Sequence, residues 1–164
     1  LGDLFMAGLI VPKPRHVIFG ILAFGVGHLF YLLAFRQGAM APGLNPEPIW
    51  LRSAVIYLAV AALLWAWLVR APARGPALNY GTLGYSLLLA VMAGAAAALA
   101  VLHSAFIPLA VGGLLFIVSD LVLGSELMRR TYFPSIGDVI WATYTTAQML
   151  IVYSSAAALN AWLR

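Results

Sequence analysis

The sequence contains no cysteine. That removes disulfide frameworks, thiolate metal sites and cysteine nucleophiles, although it does not fix a redox compartment. Charge is almost as scarce. Only 9% of the 164 residues are Asp, Glu, Lys or Arg, where a soluble domain carries about 25%. The few basic residues are too thinly spread to form the dense face that nucleic acid requires. Apolar residues fill the chain instead: 64% are hydrophobic and the mean hydropathy is +1.00. The expected fold class is all-α, a polytopic transmembrane helix bundle.

Turn-forming stretches divide the apolar runs. Pro12-Lys13-Pro14-Arg15 breaks the chain, because proline lacks the amide donor and clashes with the preceding turn. His16 to Phe35 follows as a first span. Residues 36–50, with Pro42, Gly43, Pro46 and Pro48, read as a loop. Leu51 to Val69 is the next span, with Trp65 and Trp67 placed for an interfacial belt. A basic loop from Arg70 to Pro76 leads into a long Ala-rich span, Ala77 to Leu102. His103-Ser104 marks a tight turn before Ala105 to Gly124. The polar segment from Glu126 to Ser135 precedes the fifth span, Ile136 to Leu159, which closes at Trp162 and Arg164. Each run is near the ~20 residues that cross ~30 Å of hydrocarbon. Leu1 to Val11 is too short to do so and lacks the basic flank of a signal peptide. It reads as the end of a helix that begins upstream. Residues 1–164 are thus expected to form one transmembrane domain, truncated at its N-terminus, with five full spans and a partial one.

Orientation follows from the basic residues. Lys13, Arg15, Arg70, Arg74, Arg129 and Arg130 fall in alternate loops on one side; Arg36, Arg52 and Arg164 fall on the other. The positive-inside rule puts the first side in the cytoplasm. The expected location is a bacterial cytoplasmic membrane.

Ionisable residues inside a bilayer are costly and usually functional. The apolar runs hold Asp3, His28, Asp120 and Asp138, with Tyr31, Tyr57, Tyr85, Ser119, Tyr144, Thr145 and Gln148 as uncharged polar companions. At 1.5 Å per residue, Asp3 lies ~12 Å from the cytoplasmic boundary, Asp120 ~9 Å and His28 ~18 Å. By the same measure Tyr85 lies ~12 Å in, Tyr144 ~10 Å and Gln148 ~16 Å. Five segments therefore place polar groups in one half of the bilayer, as a cavity open to the cytoplasm requires. Gly20, Phe24, Gly27, His28 and Tyr31 share a helix face, where the glycines permit close approach. Trp141, Tyr144, Thr145 and Gln148 share another. Plain structural roles compete for many of these residues. His28 can bond a neighbouring helix, the tyrosines can pack, and Ser119 and Gln148 can act as interhelical glue. Asp138 suits a helix start, and His16 and His103 suit the interface. Asp3 and Asp120 are harder to explain that way, since the spans offer no Lys or Arg to pair with them. Two Asp and one His can hold a divalent ion, but no local ligand motif such as His-Glu-x-x-His is present, and no metal or cofactor is assigned.

Four motifs in order carry a resemblance: Leu1-Gly2-Asp3, Gly27-His28-Leu29-Phe30-Tyr31, Phe116-Ile117-Val118-Ser119-Asp120 and Tyr144-Thr145-Thr146-Ala147-Gln148. With them the chain resembles the YhhN-like family of membrane proteins across essentially its whole length. Tyr85 with Met92 resembles a further pair on an intermediate family helix. The characterised members are lysoplasmalogenases, and the family usually has about eight helices. The resemblance implies a hydrolase that acts on a lysophospholipid among membrane lipids. It would cleave the vinyl-ether bond to a fatty aldehyde and glycerophosphoethanolamine or glycerophosphocholine. Asp3 and Asp120 would be the acid and base in either order, and His28 a proton shuttle or water-orienting group. Tyr31, Tyr85, Ser119, Tyr144 and Gln148 would contact substrate or water. Two other classes fit the same residues. One is a proton-coupled small-solute transporter, in which intramembrane Asp and His relay protons. The other is a lysolipid-binding membrane protein without turnover.

Overall fold

Continuous runs of Leu, Val, Ala and Phe satisfy their backbone polar groups internally as helices, the one open-ended secondary structure that hydrocarbon tolerates. The computed structural model describes residues 1–12, 15–40 and 47–162, which form six α-helices and no strand. These are α1 (Gly2–Met6), α2 (His16–Met40), α3 (Glu47–Leu64), α4 (Pro76–Leu102), α5 (Ile107–Arg129) and α6 (Ile136–Trp162). Lys13, Pro14, Pro42, Gly43, Pro46 and Arg164 lie outside the described residues. Pro76 and Pro108 sit in the first turns of α4 and α5, where a missing amide donor costs nothing. The His103 turn forms as expected, with the Ala105 amide donating to His103 Nδ1 at 3.1 Å. Asp138 falls in the first turn of α6, where a negative charge meets the helix dipole favourably.

Two boundaries differ from the sequence reading. Helix occupies much of the stretch 36–50, because no proline lies between Arg36 and Met40 to stop α2. Helix does not extend through Leu1–Val11: α1 stops at Met6, and Gly8 turns the chain with φ 72°. Four stretches are long and apolar enough to cross a membrane, namely His16–Gln37, Glu47–Val69, Pro76–Leu102 and Ser104–Arg129. This is the pattern of a multi-pass integral membrane protein. α6 has the expected length but is not among those four; Asp138, the Tyr144-Thr145-Thr146 run and Gln148 dilute its apolar character.

Small residues set the packing. α4 is the most buried helix, with Ala90, Met92, Ala93, Ala96, Ala98 and Leu99 all enclosed. It is flanked by α2, α3 and α5, and α5 packs most extensively on α6. A Cβ added at Gly113 would lie 3.1 Å from the Ala93 Cα, and one at Gly112 3.0 Å from the Ala147 carbonyl oxygen. The two glycines thus let α5 approach α4 on one side and α6 on the other, the close contact that drives helix association in lipid. Gly20 also serves a close contact, whereas Gly27 faces open space. The outer surface is apolar: Leu63, Trp67 and Val101 each expose more than two-thirds of their area. In water this would be unstable; in a bilayer it is the lipid-facing coat.

At the end that carries the basic loops, side chains tie the helices together. The last turn of α3 widens into a π-turn over Trp65–Val69. Trp65 turns inward there, its indole donating to Thr82 Oγ1 at 3.0 Å, while Trp67 faces outward. Arg74 donates from Nε to the Met128 carbonyl at 3.1 Å and from Nη2 to the Leu127 carbonyl at 2.8 Å. It thereby caps the C-terminus of α5, where cations meet the helix dipole favourably. Arg129 reaches the Trp67 carbonyl. These contacts gather Arg74, Arg129 and their neighbours Arg70 and Arg130 at one end of the bundle.

Candidate active site

Asp3 reaches the site because α1 lies along α2. Gly2 is buried with the Phe24 ring against it, and a Cβ there would come within 2.7 Å of that ring. Gly20 accommodates Met6 in the same way. The glycine before Asp3 is therefore a docking requirement for α1. Asp3 itself is exposed, and Tyr144 on α6 donates to its Oδ2 at 3.1 Å. The Tyr144 ring is held edge-on by Phe24 (6.0 Å, 90°) and Phe116 (5.5 Å, 87°).

Asp120 on α5 has a different tyrosine. Tyr85 on α4 donates its hydroxyl proton to Asp120 Oδ2, and His28 Nε2 lies 3.0 Å from the same hydroxyl oxygen. His28 is only 1% exposed, with the Phe116 ring edge-on at 4.9 Å. Its Nδ1 is buried without a partner. A third tyrosine, Tyr31, donates to Gln148 Oε1 at 2.5 Å and joins α2 to α6. Ser119 is buried, and its hydroxyl donates to the Ile140 carbonyl at 3.1 Å, joining α5 to α6. Thr145, read as sharing a face of α6 with Tyr144 and Gln148, is exposed and spends its hydroxyl on the Trp141 carbonyl at 2.7 Å.

Both carboxyl groups line one cavity of about 300 Å³, together with Tyr85, Tyr144 and Ser119. Most of the remaining wall is apolar, and it runs to Val69, Leu127 and Met128 at the arginine-bearing end. From Asp120 to Met128 is ~12 Å along α5. His28, Tyr31 and Gln148 do not line the cavity; they stand behind its tyrosine wall. The partners of Asp3 and Asp120 are tyrosine hydroxyls, not cations. Tyr85 stands between His28 and Asp120, and no three His, Asp or Glu side chains gather among the described residues.

The sequence matches the YhhN family over residues 1–155. The chain belongs to that family. No curated protein and no solved structure matches it. The family match spans α1 to most of α6, so every element that supplies the cavity lies inside it. YhhN proteins include lysoplasmalogenases.

Two hydroxyl-bearing cavity residues of this YhhN protein escaped the sequence reading. Thr82, one turn before Tyr85, and Ser86, directly after it, line the cavity. Thr82 lies three residues before Tyr85 and four before Ser86, the spacing of neighbours on a helix surface, but hydroxyls are common enough in membrane helices that it did not stand out.

Proposed function

We propose that this protein is a membrane-embedded hydrolase that cleaves the vinyl-ether bond of lysoplasmalogens. The observation that carries the reading is the joint exposure of Asp3 and Asp120 to one largely apolar cavity. Family membership supports it. A vinyl ether is cleaved by protonating its outer alkene carbon: the π pair forms the new C–H bond and leaves an oxocarbenium ion. Water adds to that ion, and a carboxylate takes the proton released. The hemiacetal then breaks its C–O bond, the proton moves to the glycerol oxygen, and aldehyde and glycerophospho-alcohol separate. The sequence needs one acid, one base and one water, all within the means of two carboxyl groups. An apolar wall suits a single hydrocarbon chain, and the arginine-bearing end suits an anionic headgroup. The same reading places the protein in a bacterial inner membrane with that end in the cytoplasm.

The deciding experiment is aldehyde release by protein purified in detergent, from lysoplasmenylethanolamine and from its saturated ether analogue. The analogue has no alkene to protonate. Release from the vinyl ether alone is the expected result. Bound lysolipid without release, or proton-coupled solute flux in proteoliposomes, would replace this reading with one of the two alternatives.

A further inference from the structure

The buried histidine does not touch the cavity, yet it meets a group that does. Tyr85 has one hydroxyl proton, and that proton is directed to Asp120 Oδ2. His28 Nε2, 3.0 Å from the same oxygen, must then be the donor in the second bond. A neutral imidazole that donates from Nε2 leaves Nδ1 as a bare lone pair. The structure has just such an unpartnered Nδ1, buried beside Phe116. An unfilled acceptor is the more tolerable orphan in a buried site.

We infer that His28 is a positioning residue that, through Tyr85, readies Asp120 to act as the acid of the pair: Asp120 is the more enclosed of the two carboxyl groups, and the donor line stabilises the carboxylate it becomes on giving up its proton. The inference rests on the proposed hydrolysis. The donor line runs from His28 Nε2–H to the Tyr85 oxygen, and from the Tyr85 hydroxyl to Asp120 Oδ2. It occupies Oδ2, so Oδ1 is the oxygen that carries the acid proton. When the proton passes to the alkene carbon, Asp120 becomes a carboxylate, and Tyr85 is already aimed at the charge that forms. A donor fixed in place before the step stabilises the transition state without reorganisation. Asp3, exposed on α1 and held by one bond from Tyr144, takes the proton from water. Without the histidine the Tyr85 oxygen loses its donor and the tyrosine loses its fixed rotor.

The test has one arm that needs no substrate. In ¹⁵N-histidine-labelled protein in detergent near neutral pH, the His28 signals are assigned by their loss in His28→Gln. The expected spectrum shows Nε2 protonated and Nδ1 bare, with the Nε2 signal moving in Tyr85→Phe. A proton on Nδ1, or no response to Tyr85→Phe, overturns the inference, since the line would then run the other way or not exist. The second arm is kinetic. His28→Phe should lower kcat by about tenfold, the worth of one hydrogen bond made stronger in the transition state. KM should stay within about twofold of wild type, because His28 does not line the cavity and touches no substrate. His28→Gln, which keeps a donor, should recover most of the loss. The His28→Phe, Tyr85→Phe double variant should be no slower than Tyr85→Phe alone. Additive losses, or a loss confined to KM, overturn the inference. Failure of the wild type to cleave vinyl ethers would instead sink the proposed function and leave the spectroscopic result standing.

Discussion

Tyr144 and Asp3 are 141 residues apart in sequence and joined by a 3.1 Å hydrogen bond that links α6 to α1. Removing the hydroxyl leaves the ring in its aromatic nest but frees the carboxylate. Tyr144→Phe should therefore lower kcat by about tenfold, the worth of one hydrogen bond to a charged group, while the melting temperature in detergent changes little. Aldehyde-release kinetics beside a thermal melt check both halves.

Replacing either carboxyl group should stop the chemistry without unfolding the bundle. Asp3→Asn and Asp120→Asn are each expected to reduce turnover by about 100-fold or more, the usual contribution of general acid–base catalysis. Helicity by circular dichroism and a monodisperse elution profile should match wild type. Full activity in both variants would remove the carboxyl mechanism.

Ser119 lines the cavity, but its hydroxyl is committed to the Ile140 carbonyl. Ser119→Ala is expected to lower stability by about 1 kcal/mol and leave KM within about twofold. A large rise in KM with stability unchanged would show that the serine binds substrate instead.

Gly112 separates α5 from α6 with no room for a side chain. Gly112→Val should force the helices apart and cost about 1–3 kcal/mol, the range for overpacked contacts. Denaturation in mixed detergent micelles reads this directly, and an unchanged unfolding midpoint would contradict the close approach.

Arg74→Ala removes two hydrogen bonds to the end of α5. The expected loss is about 1–3 kcal/mol, with faster amide exchange in the last turn of α5 than in its middle. Equal exchange along the helix would argue against a capping role.

Much of this architecture could be read from composition and spacing. The spans follow from runs that only a bilayer accommodates, and the rarity of charge singles out Asp3 and Asp120. Distance from a common boundary already brings polar groups of five segments into a band ~9–18 Å deep. What it cannot supply is rotation about each helix axis. Apolar residues surround these helices on nearly all sides, so no polar face reports which way Thr145 or Gln148 points. The division between cavity wall and second layer, with Tyr85 in front and His28 behind, depends on contacts between α2, α4 and α5 that no local pattern encodes. The end of α1 at Met6 was hidden for a different reason: Gly8 is one small residue in an apolar run, and its positive φ leaves no mark on hydropathy.

The mounting of α1 has a consequence for how any measured rate is to be interpreted. Gly2 and Gly20 give α1 its seat on α2, so Asp3 is in place only while those contacts hold. Seating is a local equilibrium that can shift while the long helices stay folded. The apparent turnover is then the intrinsic rate multiplied by the seated fraction. A bulky residue at Gly20 would lower activity by depopulating the competent state, with the catalytic groups chemically intact and the global melting curve unmoved.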